Sequence, residues 1–391
     1  MKVRFNNKFN RFEGFENGDW NPITPGTAGT DATIPLVIDR YRVEVSLACN
    51  LQCEYCVVHK NDVRQQNTIM DLSTAQMIVN KFNDEIGKNG SIFLMGGEPL
   101  VNYSVVEYII ENVKGESIIF TNALKLNDEV IDFLYRHNTY ILTSLDGYSM
   151  EQNAKRFQPN IKENFEIVTA NIKRAIERGC KVGVSCLLHS GNIYDAEKIA
   201  TYFVKEFNAR AMSFAYPHAT VKYTEESEFD FSEYANQMKK LYLFAKQHKV
   251  YIDQIGKIIS PLYYNYSAII GCKAGTTQRT FYPDGSETIC TKIDTLKNFS
   301  MEKYKNNLPF RIECCSECIA KYICCGECPW DYAVADLSGN AHERICSYRK
   351  YLISFIIDDI CKELSTANNC KEAEKVFENI CFPLINNYYD E

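Results

Sequence analysis

The sequence predicts an α/β chain: a partial (β/α)6 barrel of the TIM type, a small metal-organised domain after it, and closing C-terminal helices. Three observations predict this. From residue 41 onward short apolar runs alternate six times with amphipathic stretches, the pattern of a parallel sheet with right-handed crossovers. Residues able to do chemistry fall where the apolar runs end, as they do at the C-terminal face of such barrels. Residues 271–347 are rich in cysteine and turn formers and too poor in apolar residues to fold without metal.

In chain order, residues 1–40 are polar, rich in Gly and Asn, and broken by Pro22, Pro25 and Gly26, so they read as an N-terminal extension or lid. The barrel is expected over 41–250. Its strands are expected over 41–48, 91–95, 117–121, 140–144, 181–188 and 211–215. Its helices are expected over 73–86, 104–113, 128–137, 165–178, 195–207 and 231–248, the first capped by Ser73. Cys49, the run Gly96-Gly97-Glu98, Thr121-Asn122 and Ser144 all lie at or just beyond a strand end. The metal-organised domain is expected over 251–347 and the closing helices over 348–391.

Composition narrows the function. The 391 residues, 46% of them hydrophobic, suffice for one large domain and a smaller one and exclude a disordered chain. Seventeen cysteines fit either secretion with disulfides or a reducing compartment with metal. The start Met1-Lys2-Val3-Arg4-Phe5-Asn6 lacks the apolar stretch of a signal peptide, and no apolar run approaches a membrane span. A cytoplasmic, metal-bearing protein without a membrane partner is therefore expected. A net charge of −7 and the lack of a long Lys/Arg block argue against nucleic acid as a partner.

Cys49, Cys53 and Cys56 place three soft thiols within eight residues, with an aromatic, Tyr55, before the last. Thiolates suit zinc or iron–sulfur chemistry. Half of a zinc knuckle is the plainer reading, but zinc sites usually add a second close pair of ligands. The next cysteine is Cys180, so one metal corner stays open. This spacing resembles the cluster motif of the radical S-adenosylmethionine (radical SAM) enzymes. The resemblance implies that Cys49, Cys53 and Cys56 hold a [4Fe–4S] cluster and that SAM chelates its fourth iron. Met95-Gly96-Gly97-Glu98-Pro99 resembles the motif of that family whose edge binds the methionyl amino group. Its glycines would free the backbone for close approach, and Glu98 could accept from an ammonium group. Ser144-Leu145-Asp146-Gly147 resembles the family's Ser-x-Asp-Gly segment. There the Ser contacts SAM and an Arg ten residues past the Asp, here Arg156, binds its carboxylate. Tyr55 is implied as an adenine contact.

Farther along, Cys272, Gly285 and Cys290 are followed by Cys315-x2-Cys318-x5-Cys324-x3-Cys328 and then Cys346. These gaps match the SPASM domain, a module with two auxiliary iron–sulfur clusters; two zinc sites are the alternative. The resemblance assigns Cys315, Cys318, Cys324 and Cys346 to an outer cluster and Cys272, Cys290 and Cys328 to an inner one. With the cluster on the triplet this makes three [4Fe–4S] clusters in all. Some members supply a fourth inner ligand where this chain has Gln278. The inner cluster then recruits Cys325 or Cys314, or keeps an open iron able to ligate a substrate cysteine; the open site is the expectation. Cys180, Cys186, Cys361, Cys370 and Cys381 fit no ligand pattern and read as buried free thiols.

SPASM enzymes act mainly on peptides. Sulfatase-maturating members use an Asp directly after the second SPASM cysteine as base, where this chain has Thr291, with Asp294 three residues on. The run Cys324-Cys325-Gly326-Glu327-Cys328-Pro329-Trp330 is instead similar to that of maturases of ribosomally made peptides. The expectation is a radical SAM oxidoreductase that installs a crosslink, a Cys thioether, in a precursor peptide. The alternatives are a formylglycine-forming or other dehydrogenating maturase, and an iron–sulfur carrier or scaffold that never cleaves SAM. The resemblance implies a reductase, flavodoxin or ferredoxin as electron donor. Forty N-terminal residues are short for a leader-binding domain, so the leader is expected on the barrel, on the 1–40 extension or on a separate partner protein.

Overall fold

Three short N-terminal strands, β1 (Lys2–Asn6), β2 (Arg11–Glu16) and β3 (Asp19–Pro22), form an antiparallel sheet in the order β1-β2-β3. The structure is a computed structural model. It describes residues 1–25, 37–56, 68–217, 229–264, 266–295, 299–309, 311–326, 328–331, 333 and 341–386. The N-terminal sheet corrects the expectation of an extension or lid over 1–40, of which 26–36 lie outside the described residues. Asn17 (φ 56°) and Gly18 (φ 87°) join Glu16 to its partner Asp19, the two-residue turn whose twist matches a hairpin. Phe12 is fully buried between the rings of Phe5, at 5.1 Å, and Phe377, at 5.6 Å.

All six expected strands form, as β4 (Arg40–Ser46), β5 (Ser91–Gly96), β6 (Glu116–Thr121), β7 (Tyr140–Ser144), β8 (Val182–Leu187) and β9 (Ala211–Ala215). Each pairs in parallel with the next. The intervening helices are α1 (Leu72–Glu85), α2 (Tyr103–Asn112), α3 (Asp128–Arg136), α4 (Ile161–Glu177) and α5 (Ala196–Phe207). Strand side chains alternate between faces. Tyr41, Val43 and Val45 of β4 are fully buried, with the Tyr41 ring 5.2 Å from Phe82 of α1. Arg42 and Glu44 therefore belong to the opposite, inner face. The cap of α1 is Asp71, which accepts from the Thr74 N–H at 2.7 Å; Ser73 instead donates to Asp71.

Beyond the barrel come α6 (Phe231–His248), β10 (Tyr251–Ile252) and α7 (Asp253–Tyr263). Then β11 (Gln278–Phe281) and β12 (Glu287–Thr288) form a hairpin whose first strand pairs in parallel with β4, Gln278 opposite Arg40 and Phe281 opposite Val43. The last helices are α8 (Met301–Asn306), α9 (Ala341–Leu364) and α10 (Cys370–Ile385). The chain divides into two compact units that do not follow four consecutive segments. One holds Pro35–Phe229 with Lys273–Phe299; the other holds Met1–Ile34, Asp230–Cys272 and Ser300–Glu391. The units change at 34/35, 229/230, 272/273 and 299/300 rather than at the expected 250 and 347, for a physical reason. β11 extends the barrel sheet, whereas α6 is tied to α9 by Lys246 bonding Asp359 and Glu363, and by the Tyr242 hydroxyl donating to Asp359 at 2.8 Å.

Candidate active site

The parallel strands of the barrel unit release their chains at one edge, and the triplet cysteines leave from the end of β4. Cys49, Cys53 and Cys56 are half-buried and unbridged. The loop is held by its own backbone, Cys56 N–H donating to Cys53 O at 3.2 Å, and by Glu54 N–H donating to Lys155 O at 2.9 Å. Cys49 Sγ accepts from Leu51 N–H at 3.4 Å and from Asn122 Nδ2 at 3.8 Å. Burial pushes the Cys49 thiol up to about 11 and the Cys53 thiol up to about 12. Buried thiols of this kind ionise when a metal supplies the missing positive charge.

Gly96 and Gly97 are explained by packing. Gly96 has φ +139°, and a Cβ on it would lie 2.0 Å from Ser46 O; one on Gly97 would lie 2.5 Å from Ala48 O. Gly97 N–H donates to Ser46 O at 2.7 Å and Glu98 N–H to Ala48 O at 2.9 Å. The two glycines thus fasten the exit of β5 to the residues that launch Cys49. Glu98 is 1% exposed and accepts from Leu100 N–H (3.0 Å), the Thr121 hydroxyl (2.7 Å) and Asn122 N–H (2.7 Å). Three of a carboxylate's four acceptor positions are filled from inside the fold. Glu98 joins the ends of β5 and β6, and the Asn122 it holds donates to Asn50 at 2.7 Å.

Tyr55 and Arg156 meet on Asp146, which is fully buried. Arg156 grips both Asp146 oxygens through Nε and Nη2, each at 3.0 Å, a bidentate fork. The Tyr55 hydroxyl donates to Asp146 Oδ2, and the Leu187 N–H donates to Oδ1 at 2.9 Å. The Arg156 guanidinium lies 5.4 Å from the Tyr55 ring centre, and Cys53 donates to Arg156 O at 3.3 Å. The loop carrying the triplet is therefore bolted to residues 146–156. Ser144 ends β7 opposite Ser185 of β8, which is opposite Ser213 of β9, a row of half-buried hydroxyls.

Sequence reasoning missed Glu44. Its Oε1 accepts from Arg42 Nε and from the Thr291 hydroxyl, both at 3.2 Å, and the side chain is enclosed. Arg40, Arg42 and Glu44 recur at period two inside an apolar strand, a signal that could have shown it. Asp294 has both oxygens engaged, by the Tyr282 hydroxyl at 3.0 Å and the Thr288 hydroxyl at 2.6 Å.

Of the distal cysteines, Cys290 is buried in the barrel unit. In the other unit, burial and then its contact with Cys314 push the Cys315 thiol up to about 12, with smaller contributions from Cys318 and Cys346. Cys318 N–H donates to Cys315 O at 3.1 Å, and Cys324 Sγ accepts from Arg349 Nη1 at 3.8 Å. Among the described residues no three His, Cys, Asp or Glu side chains converge as ligands of one metal ion. The thiolates of a cluster each bind a different iron. Half-buried free thiols with N–H donors on sulfur fit such a cluster in the triplet loop.

The parallel barrel with an open three-thiol loop at its strand ends defines a class: an α/β barrel protein whose loop thiols could hold a metal cluster. Residues 43–202 match the radical SAM superfamily model. The chain is 25% identical over 171 residues to a cysteine-type anaerobic sulfatase-maturating enzyme of Clostridium novyi, covering 40% of this chain and 46% of the relative. It is 27% identical over 129 residues to the radical SAM cyclopropyl synthase TigE of Paramaledivibacter caminithermalis, covering 28% and 27%. It thus spans less than half the length of either. The fold is similar to that of anSMEcpe with bound AdoMet, with TM-score 0.64, 17% identity, and 83% of this chain and 99% of that one covered. SuiB of Streptococcus suis bound to S-adenosylmethionine gives TM-score 0.53, 16% identity, and coverage of 75% and 74%. Among the described residues no helix is long and apolar enough to cross a membrane.

Proposed function

We propose that the protein is a radical SAM peptide maturase that installs a crosslink, a Cys thioether, in a precursor peptide. The observation that carries this is the triplet loop, clamped on one side by Gly96–Glu98 and on the other by Asp146–Arg156. The cluster and SAM, when bound, would supply radical chemistry able to remove a hydrogen from an unactivated carbon. The chain's own residues orient that event. Cys49, Cys53 and Cys56 would hold the cluster. A backbone carbonyl of Gly96–Gly97 and the fourth acceptor position of Glu98 would receive the SAM ammonium. Ser144 would donate to SAM, and Arg156 would offer Nη1 to its carboxylate while the fork holds it on Asp146. Tyr55, anchored by its hydroxyl, would present its ring to the adenine.

In the distal region Cys315, Cys318, Cys324 and Cys346 would hold an outer auxiliary cluster, and Cys272, Cys290 and Cys328 would serve an inner one on their sequence spacing. A peptide substrate is supported by two relatives: anSMEcpe has been solved with AdoMet and a Cp18Cys peptide, and SuiB with its precursor peptide SuiA. The electron would arrive from a reductase, flavodoxin or ferredoxin. Formylglycine formation is disfavoured because Thr291 stands in the base's place and Asp294 is doubly engaged. The test is mass spectrometry of a Cys-containing peptide after anaerobic incubation with reconstituted protein, SAM and dithionite. Loss of two hydrogens together with the free thiol supports the crosslink. An aldehyde trapped by hydrazide supports the alternative, and an unchanged peptide despite SAM cleavage contradicts both.

A further inference from the structure

Cys325 holds a backbone conformation that its residue type does not favour. Its φ is +60°, in the left-handed region where a side chain costs roughly 1–2 kcal/mol relative to glycine. Only Asn and Asp offset that cost locally, through their short polar side chains. A thiol at such a position suggests a role for the sulfur.

The surroundings say which role. Ala268 N–H donates to Tyr322 O at 2.9 Å and Gly271 N–H to Cys325 O at 3.2 Å, so the chain entering Cys272 is laid along residues 322–325. A Cβ on Gly271 would lie 3.1 Å from Cys325 Cβ and 4.0 Å from its sulfur, so the residue that precedes Cys272 packs directly on Cys325. The buried Tyr304 phenol lies within electrostatic reach of the Cys272, Cys328 and Cys325 sulfurs. Cys314, the other spare thiol, is exposed and pairs with Cys315 of the outer set. Gln278, standing where relatives of this type have a ligand, is part of β11 and donates to the Thr280 hydroxyl at 3.1 Å.

We infer that Cys325 is an iron ligand of the inner auxiliary cluster, joining Cys272 and Cys328 and supplying the thiolate that Gln278 lacks. The inference rests on the auxiliary-cluster reading above and departs from the expectation of an open inner iron. Its consequence is chemical. A cluster closed by Cys325 has no vacant iron for a substrate thiol, so the peptide cysteine reacts without ligating it and the cluster serves as electron acceptor.

The test uses the full chain with Cys49, Cys53 and Cys56 replaced by Ala, so that only distal clusters contribute, and reads iron content and electron paramagnetic resonance after reduction. Cys325→Gly is the chosen variant because it relieves the strained φ and leaves the fold intact. The parent should give two cluster signals that do not respond to 2-mercaptoethanol. Cys325→Gly should lose iron from one cluster or shift one signal, and 2-mercaptoethanol should shift that signal again as it enters the vacated position. A Cys314→Ala control should leave the inner signal unchanged. A Cys325→Gly protein with iron content and signals identical to the parent overturns the assignment alone, as does a parent signal that shifts with added thiol. A parent without distal clusters overturns the auxiliary-cluster reading and the assignment with it.

Discussion

Burial raises the Glu98 carboxyl to about 7, against the hydrogen bonds from Asn122, Thr121 and Leu100 that pull it down. An acid whose folded value lies above its unfolded value of about 4.5 binds more protons folded than unfolded between those values. Its favourable contribution is complete below about pH 4.5 and is lost as pH rises through about 7. Glu98→Gln should remove that slope from the pH dependence of denaturant unfolding. The variant should also lose roughly 1–3 kcal/mol, because the Gln amide would face the Asn122 N–H donor. Asp146 makes a second residue-scale case. Asp146→Asn leaves the Arg156 guanidinium without its counter-charge, for an expected loss of about 3–5 kcal/mol. Tyr55→Phe deletes one hydrogen bond and should lose only about 1 kcal/mol. Equal losses for the two variants in urea unfolding would contradict the fork as the anchor of the triplet loop.

At the scale of elements, the exit of β5 is the part on which the site depends. Gly97→Ala puts a methyl 2.5 Å from Ala48 O and should displace the residues leading to Cys49. Iron content should fall by the share of one cluster while distal signals persist. Unchanged iron would show that the glycine serves ligand approach alone. Gly18→Ala, at φ +87° in the β2–β3 turn, should cost about 1 kcal/mol in thermal unfolding without changing iron content. The barrel was legible in the sequence because apolar period two and period 3.6 alternate cleanly from residue 41 to 248, and every strand was placed within one or two residues. The N-terminal sheet was not, because its strands are short and carry Arg, Asn and Glu. The Asn17-Gly18 pair was the overlooked signal. β11 was hidden because Gln278-Arg279-Thr280-Phe281 sits among cysteines and turn formers, and its partner β4 lies over two hundred residues away. In the site, the spacing of the triplet cysteines is local and visible in the sequence. The fork from Arg156 to Asp146 and the bond from Thr291 to Glu44 are products of folding, visible only once the strands are side by side.

In the whole molecule two tasks are separate. On the proposed function the triplet loop would generate the radical and the distal cysteines would provide an electron exit. The two should fail independently, so a triplet variant retains distal iron while losing SAM chemistry. The measurement that tests this most directly is 5′-deoxyadenosine formation by anaerobically reconstituted protein given SAM and dithionite, in the native chain and in Cys53→Ala. The account predicts 5′-deoxyadenosine from the native chain and none from Cys53→Ala, with distal cluster signals intact in both. A native chain that carries its clusters and yields no 5′-deoxyadenosine would contradict it and leave an iron–sulfur carrier.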